Sequence, residues 1–183
     1  MLIKMKVSNS FHIQEFVPKE IYDKFGEKSI WFVRQDLIEL AQFIRDYFGK
    51  PMTINNWHKG GKFNERGYRT PDSTTGSKYS QHKLSGAIDF NIEGMTSNEV
   101  RSLILADSKR FLSHNLTTIE DGSVTPTWVH ADMRTTNLNS ILIVKPSIST
   151  QSLEESEDEY FVFNKSEMIS VNFPLKNRKN QKI

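Results

Sequence analysis

The sequence of 183 residues contains no cysteine. Disulfide bonds, thiolate metal ligands and a cysteine nucleophile are therefore excluded. Any metal ion would have to be bound by histidine, aspartate or glutamate side chains. A cysteine-free chain tolerates oxidising and reducing surroundings alike, so this absence indicates no compartment.

Long apolar stretches are also missing. No segment approaches the roughly 18 consecutive apolar residues that a membrane-spanning helix needs. Residues 1–16 lack the apolar core of a signal peptide. We therefore expect no membrane span, and synthesis in the cytoplasm.

An excess of one charge is lacking as well, because 24 basic side chains face 22 acidic ones. This balance gives no reason to expect a nucleic-acid partner. The hydrophobic content of 37% is enough for one globular core. We place the domain at residues 1–145 and regard 146–183 as an appendage, acidic and then basic, that is loosely packed or disordered.

Hydrophobic spacing predicts both helices and strands. An amphipathic helix is expected over 34–48, and Thr96 and Glu99 form a capping box that opens another. Short strands are expected over 52–56, 86–92, 117–120, 127–133 and 140–144. The predicted fold class is α+β, with a small antiparallel sheet and helices packed on one side. A loop over 57–81, rich in Gly, Asn, Ser and Thr, leads into the next strand and is interpreted as functional.

Two short segments carry the residues of greatest chemical interest. In the first, Asp89 lies on an alternating strand, and His82 precedes it by seven positions. In the second, His130 and Asp132 share one face of a strand by alternation. Two imidazoles and one carboxylate are a common ligand set for catalytic zinc. A single histidine near a strand is more often structural, but a half-buried Asp89 requires a partner or a metal.

These segments carry a resemblance to a known family through two motifs, Ser80-x-His82-x-x-x-Gly86-x-x-Asp89 and Trp128-x-His130-x-Asp132. They closely resemble the D-alanyl-D-alanine carboxypeptidase-type zinc peptidases, which share a fold with hedgehog signalling domains and include phage endopeptidases. The family's usual pattern is SxHxxGxAxD. Here Gly86 follows His82 by four positions rather than three, whereas the distance from His82 to Asp89 is that of the family. The resemblance covers about residues 11–134 and implies a hedgehog/D-Ala-D-Ala-peptidase-like fold.

By this resemblance His82, Asp89 and His130 bind Zn²⁺. The general base is less well indicated, because relatives carry Glu or His where this chain has Thr127 and Trp128. Asp132 is the first candidate, since it shares the ligand face, and orientation of His130 is its alternative role. Glu120, on the adjacent predicted strand, is the second candidate.

The resemblance also indicates substrate-binding residues. Arg66 and Arg69 match a segment that supplies an arginine for a peptide carboxylate, although a loop arginine can also be simply solvated. Ser80 either supports His82 or forms a turn. Trp128 lines a groove in one interpretation and packs in the core in the other.

The function implied is that of an endolysin-like, zinc-dependent carboxypeptidase or endopeptidase acting on bacterial peptidoglycan. A monomer with a peptidoglycan peptide as its partner is expected, released by cell lysis or carried in a phage particle. The alternative is a non-catalytic zinc-binding module of the same fold, such as a phage structural or recognition protein.

Overall fold

The computed structural model describes residues 6–145 and the backbone of 159–164 and 167–170. Four α-helices occur in this part of the chain: α1 (Lys19–Phe25), α2 (Gln35–Phe48), α3 (Ser97–Ala106) and α4 (Ser108–Leu112). The strands are β1 (Met52–Thr53), β2 (Ala87–Ile92), β3 (Thr118–Glu120), β4 (Val129–Asp132), β5 (Leu142–Lys145), β6 (Glu159–Asn164) and β7 (Glu167–Ser170). Short 3-10 turns lie at Ile13–Glu15, Gly26–Phe32, Trp57–Lys59 and Gln81–Leu84. The α+β class is confirmed.

The strands form one sheet in the order β1-β2-β4-β3-β5-β6-β7. Neighbouring strands are antiparallel except β3 and β5, which run parallel. The prediction of a purely antiparallel sheet is therefore wrong, because the parallel pair β3 and β5 makes the sheet mixed. After β4 the chain crosses over β3, and β5 pairs with the side of β3 that faces away from β4. In this position β5 runs parallel to β3.

The longest helix, α2, begins one residue later than predicted and ends at Phe48. Its apolar positions recur at helical spacing and bury Leu37, Leu40 and Ile44. Gly49 follows with φ 61°, a left-handed conformation that glycine adopts without strain at a helix end.

The predicted capping box opens α3. The Thr96 hydroxyl oxygen accepts a hydrogen bond from the Glu99 backbone N–H at 3.2 Å. The Glu99 carboxylate accepts one from the Thr96 N–H at 2.7 Å. This exchange satisfies two N–H groups that a helix start leaves without partners.

The two faces of the sheet differ in chemistry. Buried apolar side chains of α2, α3 and α4 form one core with every second residue of the central strands. These core-facing strand residues are Ile88, Phe90, Ile92, Ile119, Val129 and Ala131. The intervening residues of β2 and β4 point to the opposite face and include Asp89, His130 and Asp132. One side of the sheet is thus the hydrophobic core, and the other carries the polar groups.

Two described segments of the predicted appendage, β6 and β7, pair with each other and extend the sheet beyond β5. The rest of 146–183 lies outside the described residues, so a domain boundary at 145 stays a prediction. No helix in the described ranges has the length and hydropathy that crossing a membrane demands.

Replacing a core leucine of α2 should destabilise the fold far more than replacing a leucine at the surface. Leu40 is 1% exposed, whereas Leu103 on α3 is 43% exposed. We expect Leu40→Ala to lower the free energy of unfolding by about 2–5 kcal/mol through lost burial and a residual cavity. The matched control Leu103→Ala should cost less than about 1 kcal/mol. Urea denaturation measures both, and equal losses would contradict this assignment of the core.

Candidate metal centre

Strand pairing brings two polar side chains face to face. In the antiparallel register of β2 and β4, Asp89 lies directly opposite His130. Directly opposed residues project from the same face of a sheet. The distance between Asp89 Oδ1 and His130 Nδ1 is 2.8 Å, and both residues are buried.

The third side chain, His82, comes from the 3-10 turn Gln81–Leu84 just before β2. Ser80 begins this turn by accepting a hydrogen bond from the His82 N–H at 3.4 Å. The turn directs His82 Nε2 to within 3.2 Å of His130 Nδ1 and 3.3 Å of Asp89 Oδ1. The three predicted ligands therefore converge in one buried cluster.

The cluster fits a metal ion in donor type and spacing. Each of the three residues offers one ligand atom, and these atoms lie within 4.8 Å of one another. Ligands held about 2.0–2.2 Å from a tetrahedral zinc ion lie roughly 3.2–3.6 Å apart. The two distances that involve His82 match this spacing, and the third is slightly shorter. Imidazole and carboxylate donors suit several first-row metals, so the group is a candidate site for a divalent ion.

Two ligands are anchored by the loop before the turn. His82 Nδ1 donates to the Gly67 carbonyl oxygen at 2.7 Å, which leaves Nε2 to face the centre. Arg69 donates to Asp89 Oδ2 at 3.0 Å, which leaves Oδ1 to face the centre. Such outer contacts fix the orientation of metal ligands. The support for His82 thus comes from the Gly67 backbone, and Ser80 has the turn role.

The third ligand is anchored from its own strand. His130 Nε2 lies 3.2 Å from Asp132 Oδ2, on the side of the ring away from Asp89. Arg134 in turn donates to Asp132, from Nε to Oδ1 at 2.9 Å and from a terminal nitrogen to Oδ2 at 2.6 Å. Asp132 is completely buried. Its geometry is that of a residue that orients His130, rather than of a base beside the ligand atoms.

Electrostatics within the cluster follow from burial and close pairing. Burial lowers the pKa of His82, which favours the neutral imidazole. Burial opposes charge on His130 as well, but hydrogen bonds to Asp132 and Asp89 outweigh it and raise its pKa to about 10. Burial would raise the pKa of Asp132, yet hydrogen bonds from His130 and Arg134 lower it to about 2. Burial would raise the pKa of Asp89 too, but the nearby His82 and His130 lower it. Both carboxylates are therefore ionised, as a metal ligand and the residue that supports one must be.

Arg66 lies beside the cluster and is distinct from Arg69 in its contacts. Its Nη1 donates to Asn91 Oδ1 at 2.6 Å, and its guanidinium carbon lies 3.5 Å from the centre of the Phe63 ring. The Trp128 ring centre is 5.8 Å away. Arg69 forms an ion pair with Asp89. Arg66 instead stacks on Phe63, and its guanidinium carries N–H groups in addition to the one that binds Asn91.

Glu120 is partly exposed at the end of β3. The register of β3 with β4 pairs Ile119 with Ala131, and its continuation sets Glu120 opposite His130 on the same face. The negative charge of Glu120 also contributes to the raised pKa of His130. The second base candidate therefore lies next to a ligand.

Several residues of the site were missed from the sequence. Gly67 was not singled out, although a Cβ there would lie 2.2 Å from the Phe16 carbonyl oxygen, so a side chain is excluded. Arg134 continues the alternation of His130 and Asp132, and this pattern could have identified it. The hydrogen bond between Asn91 and Arg66 could not be predicted, because the sequence of a strand does not show which distant residue a polar side chain contacts.

Comparison with known proteins yields no relative. No protein-family model matches the chain, no curated protein sequence matches it, and no solved structure matches its fold. The likeness to zinc peptidases therefore depends on the motif residues and on the cluster that they form.

Loss of one ligand should abolish stable metal binding. We expect the purified chain to carry about one zinc ion and His82→Ala to carry almost none, because two donors cannot complete a site of this kind. His114→Ala is the control, since His114 is exposed and stacks on Phe43. Elemental analysis after dialysis measures zinc per chain. Unchanged zinc in His82→Ala would contradict the site.

The two loop arginines should differ in their effect on the metal. Arg69→Gln removes the charge that holds Asp89 Oδ2 and should weaken zinc affinity about 10–100-fold. Arg66→Gln should leave the affinity within about twofold, because Arg66 makes no hydrogen bond to a ligand side chain. Competition with a chromophoric chelator gives both constants. A reversed order would mean that the anchoring role is assigned to the wrong arginine.

Proposed function

We propose that this protein is a zinc-dependent peptidase that hydrolyses peptide bonds of bacterial peptidoglycan. The observation that carries the proposal is the buried group of His82, Asp89 and His130, in which each ligand is held by its own anchor. Three protein ligands leave one coordination position for water or substrate, as in catalytic zinc sites. Structural zinc sites are usually closed by a fourth protein ligand.

The residues divide the catalytic tasks among themselves. His82, Asp89 and His130 would hold the zinc ion, which would supply Lewis acidity to water and to the scissile carbonyl. In this proposal the Glu120 carboxylate takes a proton from the attacking water and returns it to the leaving amine nitrogen. Its partial exposure and its place beside His130 support this role. Asp132 is less suited, because it is buried and already accepts hydrogen bonds from His130 and Arg134.

Arg66 supports a substrate that carries a carboxylate. Its guanidinium is fixed by Phe63 and Asn91, and a fixed planar fork can hold a carboxylate through two parallel hydrogen bonds. Asn91 is two residues beyond Asp89 on the same face of β2, so the arginine lies within reach of a peptide placed at the metal. Stem peptides of peptidoglycan contain such carboxylates. Trp128 adds an apolar wall near the guanidinium.

A non-catalytic zinc-binding module of the same architecture is the second candidate. The contacts of Asp132 favour it, because the carboxylate closest along the chain to His130 is occupied in holding that ligand. In such a module the metal would stabilise the fold and Glu120 would have no chemical role.

Digestion of purified peptidoglycan distinguishes the two functions. We expect the zinc-loaded chain to release new amino groups without new reducing ends, because a peptidase cuts amide bonds and a glycosidase cuts sugar linkages. Chelation with 1,10-phenanthroline and the variant His82→Ala should both abolish release. Mass spectrometry of the muropeptides identifies the bond. Intact muropeptides with a fully metallated protein would support the non-catalytic module.

The base assignment makes a separate prediction. Glu120→Gln should keep its zinc and lose about 10²–10⁴-fold in kcat, because proton transfer is impaired. Asp132→Asn should instead weaken zinc affinity about 10–100-fold through loss of the His130 anchor. Activity at saturating zinc and chelator competition measure the two effects. If Asp132→Asn keeps its zinc and loses activity while Glu120→Gln remains active, the base is Asp132.

A further inference from the structure

The segment 70–76 follows Arg69 and is fastened to the rest of the protein; we refer to it as the clasp loop. On one side it binds Glu65, whose carboxylate accepts hydrogen bonds from the hydroxyls of Ser73, at 2.6 Å, and Thr75. On the other side Lys83 donates to the carbonyl oxygens of Pro71, at 3.2 Å, and Ser73, at 2.8 Å. The attachments to Glu65 and Lys83 restrict the loop from two directions.

The same loop lies against the arginine that anchors a metal ligand. Gly76 has φ 77°, and a Cβ placed on it would lie 2.9 Å from Arg69 Nη1. Arg69 also donates from Nε to the Glu65 carbonyl oxygen at 2.7 Å and from Nη2 to Asp89 Oδ2 at 3.0 Å. The guanidinium is therefore enclosed between the clasp loop, the Glu65 backbone and Asp89.

We propose that Gly76 is a positioning residue for the metal centre, through which the clasp loop holds the Arg69 guanidinium on Asp89. Arginine has many rotamers, so a stable contact with Asp89 requires the alternatives to be blocked. Gly76 leaves free the space that Nη1 occupies, because a Cβ at this position would lie 2.9 Å from that atom and would displace it. Asp89 then presents Oδ1 to the centre in a fixed orientation.

This inference concerns metal binding alone, so its test does not require the protein to be a peptidase. It depends on the metal centre, and a chain that bound no zinc would remove its premise. Once wild-type binding is measured, the inference can fail while the proposed hydrolysis stands, or hold while that hydrolysis is absent.

The decisive comparison is between two glycines with nearly the same positive φ. Gly76 has φ 77° and Gly60 has φ 82°, but a Cβ on Gly60 would meet no atom within 4 Å. Alanine is strained at both positions, so Gly76→Ala and Gly60→Ala should lower the melting temperature similarly. Only Gly76→Ala should weaken zinc affinity, by roughly 10-fold, as expected for a displaced outer contact. Chelator competition on the full chain measures the affinity.

A double-mutant cycle tests whether the effect passes through Arg69. In the Arg69→Gln background, Gly76→Ala should cause no additional loss of zinc affinity, because the side chain that it displaces is gone. Wild-type affinity in Gly76→Ala, an equal loss in Gly60→Ala, or additive losses with Arg69→Gln would each overturn the inference.

A second variant covers the case in which Gly76→Ala does not fold. Combining Ser73→Ala with Thr75→Val removes both hydroxyl donors to Glu65 and releases the loop without strain at residue 76. This variant should bind zinc several-fold more weakly than wild type at an almost unchanged melting temperature. Unchanged zinc affinity in this variant would contradict a role for the clasp loop.

Discussion

The antiparallel pairing of β2 with β4 is the contact on which the polar centre depends. It places Asp89 opposite His130 on one face, while Ile88 and Ala131 point into the core on the other. Because side chains alternate along a strand, a shift of the pairing by one residue would set Asp89 opposite Val129 or Ala131 and leave the two ligands on opposite faces of the sheet. The hydrophobic face therefore fixes the register, and the register fixes the separation of the ligands. Core packing on α2 and ligand geometry are consequences of the same alignment.

Burial of so many charges is possible because each has a partner. Asp89 is paired with Arg69 and with both imidazoles, and Asp132 is paired with Arg134 and His130. An unpaired buried carboxylate would be strongly destabilising, whereas a hydrogen-bonded pair offsets much of the cost of desolvation. The arrangement also leaves one ligand atom of each metal-binding residue directed at a common point. The network therefore holds the three donor atoms together, and a cation that binds there takes the place of the proton shared by His130 Nδ1 and Asp89 Oδ1.

Sequence patterns predicted those features that depend on local periodicity. Spacing predicted α2 and the capping box of α3, and alternation assigned His130 and Asp132 to one face of their strand. Helix α1 was missed because it is only seven residues long and its apolar residues, Ile21, Tyr22 and Phe25, are only partly buried. The parallel position of β5 depends on where the chain crosses the sheet, which local patterns do not specify. The face of Asp132 was correct, yet alternation cannot tell which ring nitrogen of His130 it contacts.

The motif itself is closer to the family pattern than the position of Gly86 suggested. Counted from Ser80, the glycine of SxHxxGxAxD falls on Ser85 and the alanine on Ala87, so no residue is inserted. Ser85 adopts φ 54°, the left-handed conformation in which glycine is favoured. The backbone therefore keeps the shape that a glycine would provide, and the Ser85 hydroxyl accepts a hydrogen bond from the Arg34 N–H at 3.0 Å. This contact with the residue before α2 compensates for strain in the turn that directs His82 to the centre.

The loop between β1 and the His82 turn contacts both His82 and the polar residues of β2. Arg66 and Arg69 are three positions apart, and one is directed to Asn91 while the other is directed to Asp89. Between them the Gly67 carbonyl holds His82. Residues 66–69 thus set the orientation of two candidate metal ligands and place the positively charged Arg66 guanidinium beside them. Under the proposed function, a change in this segment would alter metal affinity and substrate binding together, and variants that act on one arginine at a time would separate the two.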